Sequence, residues 1–381
     1  MSKGGHFLAQ QPKKKTKTWV VVVAVILAVI LFLGALAAWF VVSKMNKINR
    51  ADRGDNQLSA EDIGKYMIEG TTAPTEATTV PTTEATTAPT EETKPDYGKL
   101  GKIVNFLLIG QDARPGEDSK NSDTVLLVSV NKETKKITMI SFLRDSFVVI
   151  PKVYDTYGNE HSGQTKLTLA YAMGYKWGGD LGAMEIMDQV VERNFGAVVD
   201  YNVEINLDAF DAIINAVGYI TADLDEDEAA YMNEKFKDYP DRNFKVGENR
   251  LDGWAAEEYA RMRHSSNADN DYKRTARQRT VVSQVLERVK GMNVMQINAL
   301  VDELLDKVLT DMTNSDITTC ITELLPLLPE MTMDSLQCPN ADMDLSGKLI
   351  DLFKDGSPEQ SIQTFTESKA KAIITAITED D

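Results

Sequence analysis

A chain of 381 residues is long enough for two or three domains, and 43% hydrophobic with 26% charged residues is ordinary for a folded protein. The formal net charge of -17 repels a polyanion, so nucleic acid is excluded as the expected partner. The two cysteines, Cys320 and Cys338, and three scattered histidines do not form a zinc motif. The cysteines are either a disulfide, in an extracellular protein, or two free thiols.

The N-terminus predicts a membrane anchor. Residues 1–18 are polar and lysine-rich, and an uncharged apolar run from Trp19 to Ser43 follows. As a helix this run spans about 37 Å, more than the roughly 30 Å of a hydrocarbon core. A signal peptide cleaved near Ala37 is the alternative, but the apolar run continues past that site. The lysine cluster predicts a cytoplasmic tail at 1–18, a transmembrane helix at 19–43, and an extracellular remainder.

Residues 44–99 are predicted to be a juxtamembrane segment and a stalk. Ser59 to Gly70 begins with capping-box spacing, which favours a short helix. Residues 70–95 are mainly Thr, Pro, Ala and Glu, and they contain TTAPTE twice. Because this composition cannot build a core, we expect an extended linker that could hold the next domain up to roughly 80 Å from the membrane.

The folded region is predicted to begin near Tyr97 with three buried strands. Each strand is an apolar run of suitable length, and a hairpin turn over 131–136 joins the second to the third. The runs are Ile103–Ile109, Thr124–Val130 and Ile137–Leu143.

Charged residues at the ends of these strands predict a functional site. In up-down-up order, the end of the first strand, the start of the second and the end of the third lie at one edge, so Asp112, Asp123, Arg144 and Asp145 should converge there. Two carboxylates with one or two arginines suit a divalent cation bridged to phosphate oxygens, because Mg²⁺ usually keeps few protein ligands. Salt-bridged surface loops are the alternative interpretation.

Helices and strands alternate after this point, which predicts α/β or α+β layering. The predicted helices are Lys166–Met173, Gly182–Phe195, Leu207–Val217, a helix capped by Asp252 that ends in Arg261 and Arg263, Val294–Met312 and Ser315–Leu325, and the predicted strand is Val199–Ile205. An amphipathic stretch from Ser361 to Ile377 is expected to dock loosely. The acidic loop Asp223–Glu234 partly matches a calcium-binding loop, but Glu228 stands where that loop requires glycine, so a solvated acidic loop is the better interpretation.

A helix over Asp271–Val289 would point arginines inward. At about 100° per residue, Arg274, Arg277 and Gln278 share a stripe that continues into apolar residues such as Val281. Buried guanidinium groups require carboxylates or a multivalent anion, and phosphate is the natural candidate. If both arginines wait for a ligand, replacing either with alanine should not destabilise the ligand-free protein.

Seven ordered sequence blocks between Asn105 and Val289 resemble the LytR-CpsA-Psr proteins of Gram-positive cell walls. The blocks are NFLLIGQDAR, SDTVLLVSVN, ISFLRD, KLTLAYAMG, NAVGYI, LDGWAAEEYARMR and DYKRTARQR. Each is weak alone, but their order behind one predicted anchor is specific. The chain has no GxSxG, P-loop, GxGxxG or HExxH motif, which disfavours the corresponding enzyme classes.

The resemblance implies an α/β/α sandwich with a mixed central sheet, here a catalytic domain at 100–295 with a helical extension at 296–381. It also implies a membrane-anchored phosphotransferase that moves a glycopolymer, such as a teichoic acid or capsular polysaccharide, from a polyprenyl-pyrophosphate carrier to peptidoglycan. The cofactor would be Mg²⁺, and the product bond would be a phosphodiester.

Carried over residue by residue, the resemblance implies Asp112 and Asp123 as metal ligands. The implied pyrophosphate-binding residues are Arg144, Arg261, Arg263, Arg274, Arg277 and Gln278. Asp123 and Asp145 are candidates for the general base, and Asp145 could instead orient an arginine. Two other functions stay open: a non-catalytic scaffold or sensor that binds polyprenyl phosphates or wall polymers, and a hydrolase of the lipid-linked glycan.

Three positions depart from the family pattern. Asn121 replaces an arginine before the SDT block, which removes a phosphate ligand that Lys120 or Arg114 could replace. The family's PRD motif is here Leu143-Arg144-Asp145, and its paired glycine is Gly218-Tyr219. The last two changes concern backbone shape more than chemistry.

Overall fold

A computed structural model describes residues 49–51, 67–69, 99–111, 121–154, 160–262, 268–304, 307–352 and 359–379. The predicted anchor at 19–43, the carboxylate Asp112 and Arg263 lie outside the described residues. Within the described part, no helix is both long enough and apolar enough to span a bilayer.

The described residues form strands and helices in alternation. The strands are β1 (Asn49–Arg50), β2 (Ile68–Glu69), β3 (Ile103–Gln111), β4 (Ser122–Asn131), β5 (Lys136–Phe142), β6 (Phe147–Tyr154), β7 (Glu160–Lys166), β8 (Tyr201–Ile205), β9 (Ile220–Leu224), β10 (Gly247–Leu251), β11 (Val308–Thr310), β12 (Thr332–Cys338), β13 (Ser346–Ile350) and β14 (Gln360–Thr364). The helices are α1 (Leu167–Phe195), α2 (Leu207–Ala216), α3 (Glu226–Lys235), α4 (Gly253–Arg261), α5 (Ala268–Lys290), α6 (Val294–Leu304), α7 (Asn314–Leu324) and α8 (Glu367–Thr378).

A seven-stranded mixed sheet in the order β1-β11-β8-β3-β4-β5-β12 forms the centre of the fold. The three predicted strands are β3, β4 and β5, they pair antiparallel as expected, and β8 and β12 add parallel neighbours. The end of β3 therefore lies beside the start of β4 and near the end of β5. The predicted mixed central sheet and the predicted common edge are both confirmed.

Side chains of the central strands alternate between two cores, as the pleat requires. Leu107, Ile109 and Leu127 pack with α1 on one face. On the other face, Leu126 and Val128 pack with residues of α5. The sheet is thus covered by helices on both faces, which agrees with the expected layering.

Helix α1 consists of the two predicted helical segments, which meet at a kink. The backbone leaves helical geometry at Gly178 and Gly179, and Gly179 has a φ of 65°. The two halves pack closely where Gly174 meets Gly182. A Cβ on Gly174 would lie only 2.6 Å from the carbonyl oxygen of Gly182, so this close approach requires glycine.

A second core lies between β9, β10, α3 and α4. Most of the acidic stretch Asp223–Glu234, interpreted from the sequence as a solvated loop, is instead helix α3. The Asp225 side chain accepts the backbone N–H of Glu228 and caps the helix, and the buried Glu228 side chain accepts the backbone N–H of Asp225. The predicted cap of α4 is confirmed, since the Asp252 side chain accepts the backbone N–H of Ala255.

The C-terminal third is more closely integrated than the sequence predicts. The predicted helix Val294–Met312 is wrong in its second half, because α6 ends at Leu304 and Val308–Thr310 is strand β11. Residues 360–364 are strand β14, and α8 buries Ala370 and Ile374 in the main core rather than docking loosely. Because β11 and β12 belong to the central sheet, the boundary predicted after residue 295 falls inside one folded unit.

Two short strands precede the Thr/Pro-rich segment. Asn49 and Arg50 pair with β11, and Ile68 and Glu69 pair with β7, so the C-terminal end of the helix predicted for 59–70 is extended. Met67 is buried in the main core. The extended linker predicted for residues 70–95 lies outside the described residues and stays a prediction.

The two cysteines are free thiols. Cys320 lies on α7 and Cys338 is buried at the end of β12. Burial raises the pKa of Cys320 to about 12 and raises that of Cys338 further. The structure therefore decides between the two alternatives in favour of unpaired cysteines.

Candidate functional site

A cavity of about 550 Å³ opens at the edge of the sheet where β3, β4 and β5 converge. One part of its lining is charged, and we call it the charged mouth: Asp123, Arg144, Arg261 and Arg274. Another part is hydrocarbon, and we call it the apolar wall: Leu108, Leu126, Leu207, Phe210 and Val282. The cavity thus offers both a polar and an apolar environment to one ligand.

The charged mouth is built around Asp123. The Arg144 guanidinium donates to Oδ1 of Asp123, and Nη1 of Arg274 lies 4.0 Å from the same oxygen. Arg274 comes from α5, whereas Asp123 and Arg144 come from the sheet edge, so the site is assembled across two layers. Two guanidinium groups therefore lie near one carboxylate at the wall of the cavity, an arrangement that suits an anionic ligand.

Asp145 lies behind Arg144 and is not part of the cavity lining. Its Oδ2 is 3.9 Å from Nε of Arg144, and its Oδ1 is 3.2 Å from Nζ of Lys166. The backbone N–H of Gln363, in β14, donates to the Asp145 carbonyl at 2.7 Å. This placement favours a positioning role for Asp145 over that of general base, and the C-terminal segment helps to hold the loop.

Helix α5 contributes a stripe that changes from charged to apolar along the cavity. Arg274, Gln278 and Val282 recur every four residues and all line the cavity. At 1.5 Å per residue the stripe extends about 12 Å. Arg261, at the end of α4, faces the same space, and its Nη1 donates to Glu257 at 2.6 Å.

Arg277, a predicted pyrophosphate ligand, does not line this cavity. Its Nη1 lies 3.0 Å from the Glu228 carboxylate, and its Nη2 donates to the Met262 carbonyl. Both charged side chains are buried in the second core. Burial, reinforced by the nearby Glu228 carboxylate, raises the pKa of Tyr259 to about 12, so this phenol stays neutral beside the pair.

Sequence reasoning missed several residues of the site. Gln111, Glu257 and Tyr231 line the cavity, and Lys166 supports Asp145. The Gln111 amide is buried and finds no hydrogen-bond partner among the described residues. Its position at the end of β3, beside Asp112 in the sequence, could have indicated that Gln111 belongs to the site. Gly110 is needed just before it, because a Cβ there would lie 2.8 Å from Cβ of Thr124.

Comparison with known proteins identifies relatives of this chain. The signature of the LytR_cpsA_psr family matches residues 69–367. A polyisoprenyl-teichoic acid–peptidoglycan teichoic acid transferase, TagU of Oceanobacillus iheyensis, is 31% identical over 220 residues, 58% of this chain and 62% of its own length. Biofilm regulatory protein A of Streptococcus mutans is 32% identical over 215 residues, 53% of this chain and 50% of its own length. The chain thus matches half to three-fifths of these two relatives.

Solved structures share the fold. Protein gbs0355 of Streptococcus agalactiae aligns with a TM-score of 0.56 and 26% identity, covering 72% of this chain and 86% of its own. The structure of TagT bound to LI-WTA has a TM-score of 0.54 and 23% identity, covering 75% and 93%. A structure of YwtF (TagT) with bound octaprenyl pyrophosphate lipid has a TM-score of 0.51 and 21% identity, covering 76% and 94%.

Proposed function

Because the chain belongs to the LytR-CpsA-Psr family, we propose that it is a phosphotransferase of the cell envelope. It transfers an anionic glycopolymer, of the teichoic acid or capsule type, from a polyprenyl-pyrophosphate carrier to peptidoglycan through a phosphodiester. The single observation that carries the proposal is the cavity in which a charged mouth adjoins an apolar wall. A polyprenyl pyrophosphate has the same two parts.

The charged mouth supplies the interactions that a pyrophosphate requires. Arg144, Arg261 and Arg274 offer planar guanidinium groups, and Gln278 offers an amide donor. The apolar wall removes the isoprenoid chain from water, which favours binding in proportion to the area covered. The transferase names of the curated relatives and the octaprenyl pyrophosphate in the YwtF (TagT) structure support this choice of ligand.

In the proposed reaction, a hydroxyl of the acceptor sugar attacks the phosphorus that carries the glycan. The new P–O bond joins glycan phosphate to acceptor, the phosphoanhydride P–O bond breaks, and polyprenyl phosphate leaves. The arginines stabilise the charge on the transferring phosphoryl group and on the leaving phosphate. Asp123, the carboxylate in the charged mouth, is the better-placed acceptor for the hydroxyl proton, because Asp145 lies behind Arg144.

The oxygen ligands near the charged mouth fit a magnesium ion. Asp123 presents a carboxylate to the cavity, and the buried Gln111 amide, at the adjoining strand end, adds an oxygen without a partner among the described residues. Mg²⁺ favours such oxygen ligands and takes the rest from water and substrate phosphates. Asp123, together with Asp112, would hold the ion, which would neutralise charge on the pyrophosphate oxygens.

The proposal includes a membrane-anchored topology, with the predicted helix at 19–43 in the bilayer and the folded unit outside the cell. It follows from the apolar run and from the lipid-linked donor. Protease added to intact cells should remove the folded unit, and a reporter fused after Pro95 should be active only outside. A protected folded unit would contradict this topology.

The decisive experiment incubates the purified full-length chain in detergent with a polyprenyl-pyrophosphate-linked glycan, Mg²⁺ and peptidoglycan. We expect glycan covalently bound to peptidoglycan through a phosphodiester. Phosphorylated glycan released into water would instead indicate a hydrolase. Binding of the lipid without turnover would indicate a scaffold or sensor, and either result would contradict the proposed transferase.

A further inference from the structure

A strip of aromatic and charged side chains leads away from the cavity along α3 and α4. We call it the aromatic lane, and it consists of Tyr231, Lys235, Tyr239, Trp254, Glu258 and Arg261. Its inner end is the cavity, since Tyr231 and Arg261 belong to the cavity lining. One turn further out, Lys235 of α3 contacts Glu258 of α4 at 3.1 Å and lies 5.7 Å from the Tyr231 ring centre.

The outer end of the aromatic lane is a pair of exposed rings. Tyr239 and Trp254 meet edge to face, with centroids 4.8 Å apart and an interplanar angle of 87°. They are 46% and 37% exposed. Phe236 and Arg242 support Trp254 from the protein side, at 4.6 Å and 5.1 Å from its ring centre. The rings thus form a supported corner that faces water and offers flat apolar faces to a ligand.

The spacing along α4 connects this corner with the cavity. Trp254, Glu258 and Arg261 are four and three residues apart and lie on one stripe of the helix. Seven residues of helix span about 10 Å, which is longer than one sugar ring. Residues 231, 235 and 239 run beside this stripe in the opposite direction, so both edges of the aromatic lane lead from the cavity to the exposed rings.

The charges along the outer part of the aromatic lane favour a ligand whose backbone is uncharged. Lys235 pairs with Glu258, and the neighbouring Arg242 pairs with Asp252, with the nearest oxygens 3.1 and 2.5 Å away. Because each of these two cations has a carboxylate beside it, this part of the lane is a poor match for a chain with a phosphate in every repeat. Aromatic faces suit the C–H faces of pyranose rings, and paired charges can hydrogen-bond their hydroxyl and acetamido groups.

We infer that the aromatic lane binds the glycan strand of the peptidoglycan acceptor and directs one of its sugar hydroxyls into the charged mouth. The inference rests on the proposed function, because it assigns the acceptor of that reaction. Its ligand class is a β-linked chain of N-acetylated amino sugars, whose sugar backbone carries no phosphate and whose charges lie on the lactyl and peptide substituents. The anionic donor polymer is the ligand that the balanced charges disfavour.

The first test measures binding alone, by calorimetry with the full-length chain in detergent and soluble, uncross-linked peptidoglycan glycan strands. Tyr239→Ala and Trp254→Ala should each weaken strand affinity about tenfold, and Trp254→Phe should retain most of it because a flat ring remains. Affinity for polyprenyl pyrophosphate should stay unchanged in all three variants. The matched control is Tyr219→Ala, which removes a ring stacked by Arg250 and Arg288 outside the aromatic lane.

The second test measures transfer, where the same variants should raise the KM for the strand and leave kcat nearly unchanged. Unaltered strand affinity in folded Tyr239→Ala and Trp254→Ala would overturn the inference. So would absence of strand binding to the unmodified chain, or tighter binding of poly(glycerol phosphate) than of the strand. If the unmodified chain binds the strand, the variants lose this binding and no transfer occurs, the aromatic lane is supported and the proposed transferase is contradicted. If transfer occurs and the variants keep the KM of the unmodified chain, the proposed transferase is supported and the aromatic lane is contradicted.

Discussion

Arg274 and Arg277 lie one turn apart on α5 and are equally buried, at 2% and 3% exposed, yet their guanidinium groups lie in different regions. Arg274 lines the cavity, 4.0 Å from an oxygen of Asp123 that Arg144 also contacts. Arg277 lies in the second core, where the Glu228 carboxylate and the Met262 carbonyl accept its hydrogen bonds. The charged mouth presents its guanidinium groups to a cavity, whereas the second core encloses one charge beside another. This difference teaches that a buried arginine indicates a binding site only when its guanidinium faces space that a ligand can occupy.

The largest expected effect is on the second core. Arg277→Ala should lower the free energy of unfolding by about 3–5 kcal/mol, because it leaves the Glu228 carboxylate buried without its guanidinium. Chemical denaturation measures the loss. The double variant Arg277→Met/Glu228→Leu is the control and should lose less, since neither charge remains. An Arg277→Ala protein as stable as the unmodified chain would break the comparison.

Asp123→Ala should have the largest effect on the charged mouth. It removes the carboxylate that two arginines share, and we expect turnover to fall by about two to three orders of magnitude with the fold intact. Melting curves with inorganic pyrophosphate should also no longer shift on addition of Mg²⁺. Asp334→Ala, which removes a surface carboxylate paired with Lys136, is the matched control. Full activity of Asp123→Ala would remove this residue from the site.

Arg274→Ala should separate binding from stability. The apo-protein should melt within a few degrees of the unmodified chain, because Asp123 keeps its contact with Arg144, while affinity for polyprenyl pyrophosphate should fall by about 2 kcal/mol. Arg274→Lys should be a poor rescue, since the planar fork is lost. Lys273→Ala changes the exposed neighbouring cation and should alter neither property. A large drop in apo stability with an unchanged ligand-induced shift would make Arg274 structural, like Arg277.

The smallest expected effect concerns Asp188, a buried carboxylate whose hydrogen-bond donor is the amide of Asn202 rather than a guanidinium. Burial raises the pKa of Asp188 to about 7, although Asn202 donates to it at 3.0 Å. The folded state therefore binds more protons than the unfolded state between about pH 4 and 7, and Asp188 destabilises the fold as pH rises through this range.

Asp188→Asn should consequently stabilise the protein more at pH 8 than at pH 5, by about 2 kcal/mol. Denaturation at both pH values measures this difference. Asp200→Asn is a useful comparison, because the pKa of Asp200 is also raised by burial but a backbone N–H of Asn105 donates to its carboxylate. An Asp188→Asn effect that does not depend on pH would show that the carboxyl is not titrating in this range.

Local sequence patterns determined a large part of the fold. The apolar runs of β3, β4 and β5 are long, alternate between two cores and are bounded by polar turns, so period-2 packing located them and their common edge. The same reasoning brought Asp123 and Arg144 together, because the position of a strand end follows from chain direction alone. The role of Asp252 as a helix cap was equally predictable, since capping depends on neighbours within three residues.

Other features depended on contacts between distant segments. The single stripe predicted for α5 is two stripes: Arg274, Gln278 and Val282 face the cavity, whereas Arg277 and Val281 face the second core. Helical periodicity gives the angle between side chains, but it does not show which neighbouring element packs against each face of the helix. Only the packing of α3 and α4 against α5 decided that Arg277 meets Glu228.

The edges of the central sheet show the same limit. Asn49–Arg50, β11 and β12 are short or weakly patterned, and they become strands because a neighbouring strand already offers unpaired backbone groups. The sequence alone therefore determined the central strands, the shared edge and the family resemblance, all of which rest on local pattern and motif order. The division of the arginines, the aromatic lane, and the packing of residues 49–51, 67–69 and 307–379 were decided by tertiary structure, because burial and charge pairing are set by residues far apart in the chain.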